Sequence, residues 1–553
     1  MVAFNSFSRP ATILLALLLG VPAAFAQQPT RADAEKDPVL KAMLVELDRS
    51  KNQLHLEGFE KPFFIEYRMD DLEGYATRGE FGATLGSSSF QRRAIRVTVR
   101  VGDYKTDSSG RGEGIVSLET IDDDAIALRS AIWMATDQAY KNALDAYARK
   151  QAELKQVQTP PQADDLSQEK PAVVLEAPQR LKLDGQGWQQ WIAKASGLFR
   201  SEPSLAKARP DVQYSVAYFD AQAVSHRLVN SEGSIARTSD TYYDIAYSTG
   251  GQAADGMSLD RSYYLAGKSL ADLGTEADFD RHAIECVNGL EELRAAPIVE
   301  EEYHGPVLLS ADASAGILKN LLAGGVVANR PALGTQARTT GAFASSFHAR
   351  VLPDFFSVTD NPALGSYEGR TLVGAYSIDQ EGVPAQSVEL VKSGKLENYL
   401  IGRQPIRDFP HSNGHGRAGL FGAPQPALGV LKIESSEGFS TAELNQKLLD
   451  MAKDRGLGAV YAVEAMAGRM APRLLYKVSS SGQRTLVRGA RLEDLDLRAL
   501  RSGIVAAGKE LFVNNQLGSI PDTVLAPALL FDEITVRRAN EKNDKLPFYP
   551  PPA

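Results

Sequence analysis

Cysteine is almost absent from this chain, and this constrains its fold more than any other sequence feature. One cysteine, Cys286, stands among 553 residues. A disulfide within the chain is therefore excluded, and so is a zinc or iron–sulfur site that needs several cysteines. Apolar burial must supply the stability, and 553 residues exceed what one hydrophobic core usually organises. We therefore expect at least two domains.

The charge balance narrows the partners that the chain can bind. The sequence has 60 Lys and Arg residues against 69 Asp and Glu residues, which gives a formal net charge of −9. Binding to nucleic acid requires a basic face that neutralises phosphates, so nucleic acid is not an expected partner. The hydrophobic fraction of 43% is that of an ordinary globular protein.

The first 26 residues have the pattern of a secretory signal peptide. Arg9 precedes an apolar run over 11–21, and Ala24-Phe25-Ala26 forms a small-x-small cleavage site. The apolar run is shorter than the roughly 20 residues that span a bilayer. The pattern predicts an exported protein, periplasmic or secreted, that has no membrane span after cleavage.

Helix signals recur along the chain. Asp37 before Pro38 predicts a helix start, and Gly58 is a candidate C-cap. On a later apolar stripe, Cys286 is predicted to be a buried small hydrophobe. Further helices are predicted over 124–157, from Asp184, over 279–293 and 313–323, and from the capping box at Ser440 to Gly456.

Strand signals dominate the second half of the chain, which is therefore predicted to be rich in sheet with few helices. Residues 158–180 have the composition of a flexible linker. We expect an N-terminal domain over 27–300, a C-terminal domain over 301–540 and a tail over 541–553. The predicted strands cover 63–69, 94–101, 212–219, 226–230, 241–247, 261–265, 306–310, a hairpin over 388–400, 460–466, 474–478, 485–487 and 531–536.

Five short segments, in their order and spacing, resemble the TldD/PmbA (TldD/TldE) metallopeptidase-related family. The resemblance covers about residues 200–540. The segments are Asn230-Ser231-Glu232-Gly233, Phe356-Ser357-Val358-Thr359-Asp360-Asn361-Pro362, Asp379-Gln380-Glu381-Gly382-Val383-Pro384, Leu390-Val391-Lys392-Ser393-Gly394-Lys395-Leu396 and Arg488-Gly489-Ala490-Arg491-Leu492.

The resemblance implies an α+β fold of two domains. The N-terminal domain would be α/β, and the C-terminal domain would be built on curved antiparallel sheet with few helices. It also implies a family in which TldD-type members are zinc peptidases. Those members carry His-Glu-x-x-x-His on a helix and a late cysteine, whereas TldE (PmbA) members lack the motif and pair with TldD.

The zinc-binding residues of the family are replaced in this sequence. Lys319 and Gly324 stand where the two histidines would be, and Asn320 stands where the glutamate would be. The late cysteine is missing from residues 512–516. A lysine ammonium has no free electron pair, glycine offers no ligand, and asparagine is no base at neutral pH. The chain is therefore closer to the TldE type, and zinc is expected only in a partner; no metal or cofactor is expected here.

Two histidines lie close together, at His411 and His415. Their spacing would suit metal ligands on a helix, but Gly414 makes a helix unfavourable there. The segment resembles a glycine-rich turn of the TldE side of the family. We therefore predict that His411, Asn413 and His415 belong to a structural or peptide-contacting loop.

Asp379 and Glu381 form a second candidate group. They suit a carboxylate pair, and a junction between a strand and a turn explains them equally well. We include both residues among the candidates for peptide binding.

Three functions follow from these observations. The first is a non-catalytic, TldE-like subunit that pairs with an exported TldD-like peptidase and holds extended peptide substrate. The second is an active peptidase with a non-standard site. The third is a stand-alone peptide-binding scaffold. The sequence favours the first, because the groups needed for zinc chemistry are missing together.

Overall fold

A computed structural model describes residues 29–110, 114–159, 161–201, 212–468, 470–539 and 544–545. The predicted signal peptide, residues 1–26, lies outside these ranges, and so does the predicted tail apart from 544–545.

The helices of the described chain are α1 (Arg31–Ala34), α2 (Pro38–Gln53), α3 (Ala125–Leu154), α4 (Gly185–Ser196), α5 (Leu198–Ser201), α6 (Glu276–Ala295), α7 (Ala311–Val326), α8 (Thr441–Asp454) and α9 (Leu497–Ser502), with a 3-10 helix at Leu270–Leu273. Six of them, α2, α3, α4, α6, α7 and α8, lie close to the predicted positions, whereas the short α1, α5, α9 and the 3-10 helix were not predicted. None of the described helices is both long and apolar enough to cross a membrane.

The strands are β1 (Phe64–Glu80), β2 (Ala83–Arg100), β3 (Ile115–Glu119), β4 (Val173–Leu175), β5 (Val212–Asn230), β6 (Ile235–Gln252), β7 (Ser258–Gly267), β8 (Tyr303–Leu309), β9 (Phe356–Asp360), β10 (Ser366–Tyr367), β11 (Arg370–Thr371), β12 (Val388–Lys392), β13 (Lys395–Leu396), β14 (Gly416–Arg417), β15 (Gln425–Pro426), β16 (Val430–Ser435), β17 (Gly438–Phe439), β18 (Ala459–Met466), β19 (Pro472–Ser479), β20 (Arg484–Val487), β21 (Ala490–Glu493), β22 (Ile504–Gln516) and β23 (Asp522–Arg538).

Two large sheets organise these strands. The first has the order β3-β2-β1-β5-β6-β4, with β7 also paired to β6, and it is antiparallel except for the short β4–β6 pairing. The second has the order β13-β12-β9-β16-β23-β8-β18-β19-β20, and β21 and β22 also pair with β23. The predicted mixed α+β fold with antiparallel sheet and few helices is confirmed. The domain boundary near residue 300 stays a prediction.

The strands of the first sheet are longer than predicted. The predicted strands over 212–219 and 226–230 are one strand, β5, which pairs along its length with β6. Polar residues in its middle resemble a turn when only apolar alternation is read from the sequence. Two of them, Asp220 and Gln222, alternate with Phe219 and Ala221 and lie on the face opposite to the one that packs with the helices.

Helix starts follow the predicted caps. The Asp37 carboxylate accepts hydrogen bonds from the backbone N–H groups of Val39 and Leu40, and Ser440 forms the predicted capping box. The predicted C-cap at Gly58 is wrong, because α2 ends at Gln53 and Gly58 lies in a separate turn with φ +81°.

Residues 161–180 are held by packing and pairing, which corrects the expectation of a flexible linker from the composition of 158–180. Leu166 is buried, and Asp165 forms an ion pair of 2.7 Å with Arg330. Val173–Leu175 pairs with β6 as strand β4. The segment is fixed by polar contacts with distant parts of the chain, which composition does not reveal.

Cys286 lies on the buried face of α6, against the first sheet, as predicted. Burial raises the pKa of its thiol to about 11. The neutral thiol therefore behaves as a small apolar group of the core.

The loop that follows β11 presses against the ends of two strands of the second sheet. Gly374 donates a backbone hydrogen bond of 3.1 Å to Thr523 Oγ1. A Cβ on Gly374 would lie 2.1 Å from the carbonyl oxygen of Gly429 and 2.7 Å from the backbone nitrogen of Thr523. Only glycine permits this approach of three backbone segments.

We expect Gly374→Ala to lower the free energy of unfolding by about 1–3 kcal/mol, because backbone must move to admit the methyl group. Gly365→Ala is the matched control, since nothing lies within 4 Å of the Cβ that it would add. Denaturant unfolding of both variants measures the difference. Equal stability of the two variants would contradict the packing described above.

Candidate functional site

A cavity of about 650 Å³ lies between the first sheet and the loops of the second sheet. One wall comes from β5 and β6, and the opposite wall comes from the loop after β11 and from the segments around β14 and before β23. Its polar lining residues are Glu176, Gln222, His226, Thr238, Asp240, Tyr242, Lys268, Tyr376, Ser377, Gln380, Arg417 and Ser519.

Strand alternation explains the wall on the first sheet. Gln222, Val224 and His226 share the face of β5 that lines the cavity, whereas Ala221 and Ala223 point to the opposite, buried side. Small residues on the helix side allow close packing, while the cavity side is mainly polar. On β6, the residues that pair with Gln222, Val224 and His226 are Tyr242, Asp240 and Thr238, respectively.

Lys268, which directly follows β7, connects the two walls. The Lys268 Nζ lies 2.7 Å from Asp240 Oδ1 and donates to the carbonyl oxygen of Ala375 at 2.8 Å. Burial and the charge of Asp240 raise the pKa of Tyr242 well above its ordinary value, so its hydroxyl remains protonated. The cavity therefore presents a fixed, hydrogen-bonded polar wall.

His226 is anchored by a buried carboxylate. Its Nδ1 lies 2.7 Å from Asp70 Oδ1. Burial alone would raise the pKa of Asp70, but Arg68 and His226 bring it below its ordinary value. Asp70 is therefore ionised and orients the imidazole at the edge of the cavity.

The predicted carboxylate pair lies behind the cavity wall. The Asp379 carboxylate accepts from the backbone N–H groups of Val383 and Gly416 at 2.9 and 2.8 Å. Burial and the nearby Glu381 raise the pKa of Asp379 well above its ordinary value. Glu381 Oε2 accepts from the backbone N–H of Arg403 at 2.6 Å. The two carboxyl groups thus lie near each other, and their hydrogen bonds hold loops together, as a junction between a strand and a turn would require.

Two of the other predicted peptide-contacting residues, Asn413 and His415, bond neighbouring loop segments, and the third, His411, does not. His415 is fully buried, with Nδ1 3.0 Å from Asn413 Oδ1 and Nε2 3.3 Å from Asp360 Oδ1. The Asn413 side chain bonds the backbone of Ile401 and Tyr399. His411 is exposed, and its side chain lies 3.8 Å from that of Glu169.

None of the five candidates, Asp379, Glu381, His411, Asn413 and His415, is among the described residues that line the cavity. Gln380, between the two carboxylates, does line it. Direct peptide contact by the five therefore stays a prediction. The described residues contain no group of three or more His, Cys, Asp or Glu side chains that could hold a metal ion.

Lys319 lies on α7, at the position where the resemblance would place a histidine, and it forms an ion pair there. Its Nζ lies 2.7 Å from both carboxylate oxygens of Asp522 and 2.7 Å from Gln516 Oε1. These acceptors occupy the ammonium, which has no electron pair to offer a metal. Asn320 and Gly324 are exposed on the same helix. None of the seven histidines is followed by glutamate, and the residues at this position do not fit a zinc ion.

Sequence reasoning missed the cavity residues His226, Asp240, Lys268 and Arg417. The alternation of polar and small residues through β5 was a usable signal for one wall. The opposite wall carries no local pattern, because its residues come from separate loops.

Glu66 on β1 is a further buried carboxyl group, and it lies near Glu381. Burial, followed by the charge of Glu381, raises the pKa of Glu66 to about 7, although Arg403 opposes the rise. Its ordinary pKa is 4.5, so folding favours the protonated form. The stabilisation is present below pH 4.5 and is lost as the pH rises through about 7.

We expect Glu66→Gln to remove this loss. The difference in unfolding free energy between variant and parent should grow by on the order of 3 kcal/mol from pH 4.5 to pH 8. Denaturant unfolding at several pH values measures it, with the exposed Glu57→Gln as control. A pH-independent difference would show that Glu66 is ionised in the folded state.

We also expect Lys319→Met to destabilise the chain by about 1–3 kcal/mol, because it leaves a half-buried carboxylate without its cation. Burial already raises the pKa of Asp522, and loss of Lys319 should raise it further. Lys392→Met is the control, since its pair with Glu389 is exposed and should contribute less than about 0.5 kcal/mol. Thermal unfolding compares them; equal effects would refute the structural role of the Lys319 pair.

The comparisons with known proteins agree with this architecture. Residues 301–538 match the family model of the PmbA/TldA metallopeptidase C-terminal domain. No curated protein matches the chain in sequence.

Solved structures share the fold over most of the chain. A candidate modulator of a DNA gyrase from Thermotoga maritima has a TM-score of 0.61 at 13% identity, with 90% of this chain and 99% of that chain covered. TldE from Thermococcus kodakarensis has a TM-score of 0.61 at 12% identity, with the same coverage of 90% and 99%. A candidate modulator of DNA gyrase from Bacteroides thetaiotaomicron has a TM-score of 0.55 at 13% identity, with 92% and 99% covered.

Proposed function

Because the chain belongs to the TldD/PmbA family, we propose that it is the non-catalytic, TldE-like subunit of an exported proteolytic complex. In that complex it would bind peptide beside a TldD-like zinc peptidase, which would supply the catalytic metal. Export rests on the signal-peptide pattern of residues 1–26.

One observation carries the non-catalytic assignment. The helix that would hold zinc presents Lys319, whose ammonium is bonded to Asp522 and Gln516. A zinc peptidase needs electron-pair donors, an open coordination position and a base for water. Lys319, Asn320 and Gly324 supply none of these groups. The likeness to the fold of TldE is a second, weaker support.

Peptide binding is supported by the cavity between the sheets. Its size lies within the range of ligand sites, and its polar groups are fixed by hydrogen bonds. Amide and hydroxyl groups, such as those of Gln222, Thr238 and Gln380, suit the donors and acceptors of a peptide backbone.

A stand-alone peptide-binding scaffold is the second candidate function. It is favoured by the fact that both walls of the cavity come from this one chain. The oligomeric state separates the two candidates, because a scaffold needs no homologous partner.

We expect the purified chain to contain far less than stoichiometric zinc and to leave casein and synthetic peptides intact. Metal analysis by mass spectrometry and peptide chromatography test this. Stoichiometric zinc together with turnover that survives Lys319→Ala would overturn the assignment and indicate an active peptidase with a different site.

The partner is tested by purifying the tagged chain from the exported fraction of its native host. We expect a homologue that carries His-Glu-x-x-x-His and a late cysteine to co-purify, and the pair to hydrolyse peptides. A monomer without a homologous partner would favour the scaffold instead.

A further inference from the structure

Arg417 is the cavity residue with the most specific chemistry. Its side chain is buried, and its Nη1 donates to the carbonyl oxygens of Leu428 and Pro521 at 2.6 and 2.7 Å. The guanidinium carbon lies 4.4 Å from the centre of the Tyr376 ring. The guanidinium is therefore held in one orientation at the wall of the cavity.

This buried cation has no carboxylate at ion-pair distance within the described chain, and its Nε has no acceptor there. The charge of Arg417 acts to lower the pKa of Asp522, but the carboxylate oxygens of Asp522 are bonded to Lys319. A buried guanidinium that bonds only neutral carbonyls carries a desolvation cost that an anion would offset. The geometry favours a planar anion, because the guanidinium fork matches a carboxylate.

The other charged groups of the cavity already have partners. Lys268 pairs with Asp240, and His226 is bonded to Asp70. Glu176 accepts from the Ser377 hydroxyl at 2.5 Å. Asp240 and Glu176 make the cavity unfavourable for a ligand with several negative charges. A single carboxylate on an otherwise neutral chain fits better.

We propose that Arg417 binds the C-terminal carboxylate of a peptide that enters this cavity. The inference rests on the proposed function, since it names the part of the peptide that the cavity takes. Gln222, Thr238 and Gln380 lie in the same cavity and can bond the last peptide groups. The cavity volume of about 650 Å³ has room for a few residues, and the guanidinium favours the charged end of a peptide over its neutral interior.

The probe is a degenerate pentapeptide mixture, prepared once with free C-terminal carboxylates and once as C-terminal amides. Equilibrium dialysis against the purified chain, with mass spectrometry of the retained peptides, measures binding of each. We expect the free acids to be retained roughly tenfold or more over the amides. Succinate at the same concentration should compete weakly, because its second carboxylate meets Asp240 and Glu176.

Variants separate charge recognition from folding. Arg417→Met should abolish the preference for the acid, and Arg417→Lys should restore part of it, since lysine keeps the charge without the fork. Gln222→Glu adds a negative charge to the cavity wall and should weaken binding of the acid only. Gln91→Glu, on an exposed position of β2, is the matched control. Thermal unfolding establishes that each variant folds.

Equal retention of acid and amide by the parent chain would overturn the inference, as would unchanged preference in Gln222→Glu or in a folded Arg417→Met. Retention of neither mixture would overturn it too. Succinate that displaces peptide completely would assign the site to free small carboxylates instead. The zinc content and the co-purified partner are measured separately. If the peptide-binding experiment fails, the non-catalytic assignment therefore still stands. If the zinc or partner measurement fails, the peptide-binding result still stands.

Discussion

The two walls of the cavity can face each other only if the two sheets are held in a fixed relation, and a buried ion pair is one of the contacts that hold them. Arg403, from the loop after β13, bonds both carboxylate oxygens of Glu232 at 2.7 and 2.8 Å. It also donates to the carbonyl oxygen of Ser167 at 2.5 Å and lies over the ring of Phe64. Such a two-pronged pair fixes orientation as well as distance. Without Glu232, the buried guanidinium of Arg403 would have no counter-ion between the sheets.

One of the two residues of this ion pair lies in a segment with a recognisable sequence motif. Glu232 belongs to the segment Asn230-Ser231-Glu232-Gly233, whose turn is held by the Asn230 side chain and by Gly233 at φ +110°. Its partner Arg403 carries no motif. The six longer helices, the N-caps Asp37, Asp184 and Ser440 and the hairpin over 388–400 were predictable in the same way, because their causes lie within a few residues. The full length of β5 was not, because its pairing with β1 and β6 overrides its polar middle.

The candidate site was predictable only in part, for the same physical reason. Asp379 and Glu381 stand out in the sequence either as a carboxylate pair or as a junction between a strand and a turn, but their role in bonding loop backbone depends on burial that no local pattern reports. Lys268 reaches Ala375, and Arg417 reaches Pro521, across more than a hundred residues of sequence. Periodicity describes one element at a time. Sequence periodicity therefore cannot predict a cavity whose opposite wall comes from separate loops.

Lys319, which the resemblance places at a zinc-ligand position of the family, also supports the cavity. Lys319 bonds Gln516 and Asp522, which stand opposite each other at the end of the β22–β23 hairpin. Asp522 follows Pro521, whose carbonyl oxygen holds Arg417. The Lys319 ammonium thus connects α7 to the start of β23, next to Pro521, which positions the Arg417 guanidinium. A zinc ligand at position 319 would break this connection, so metal binding and the present wall of the cavity exclude each other.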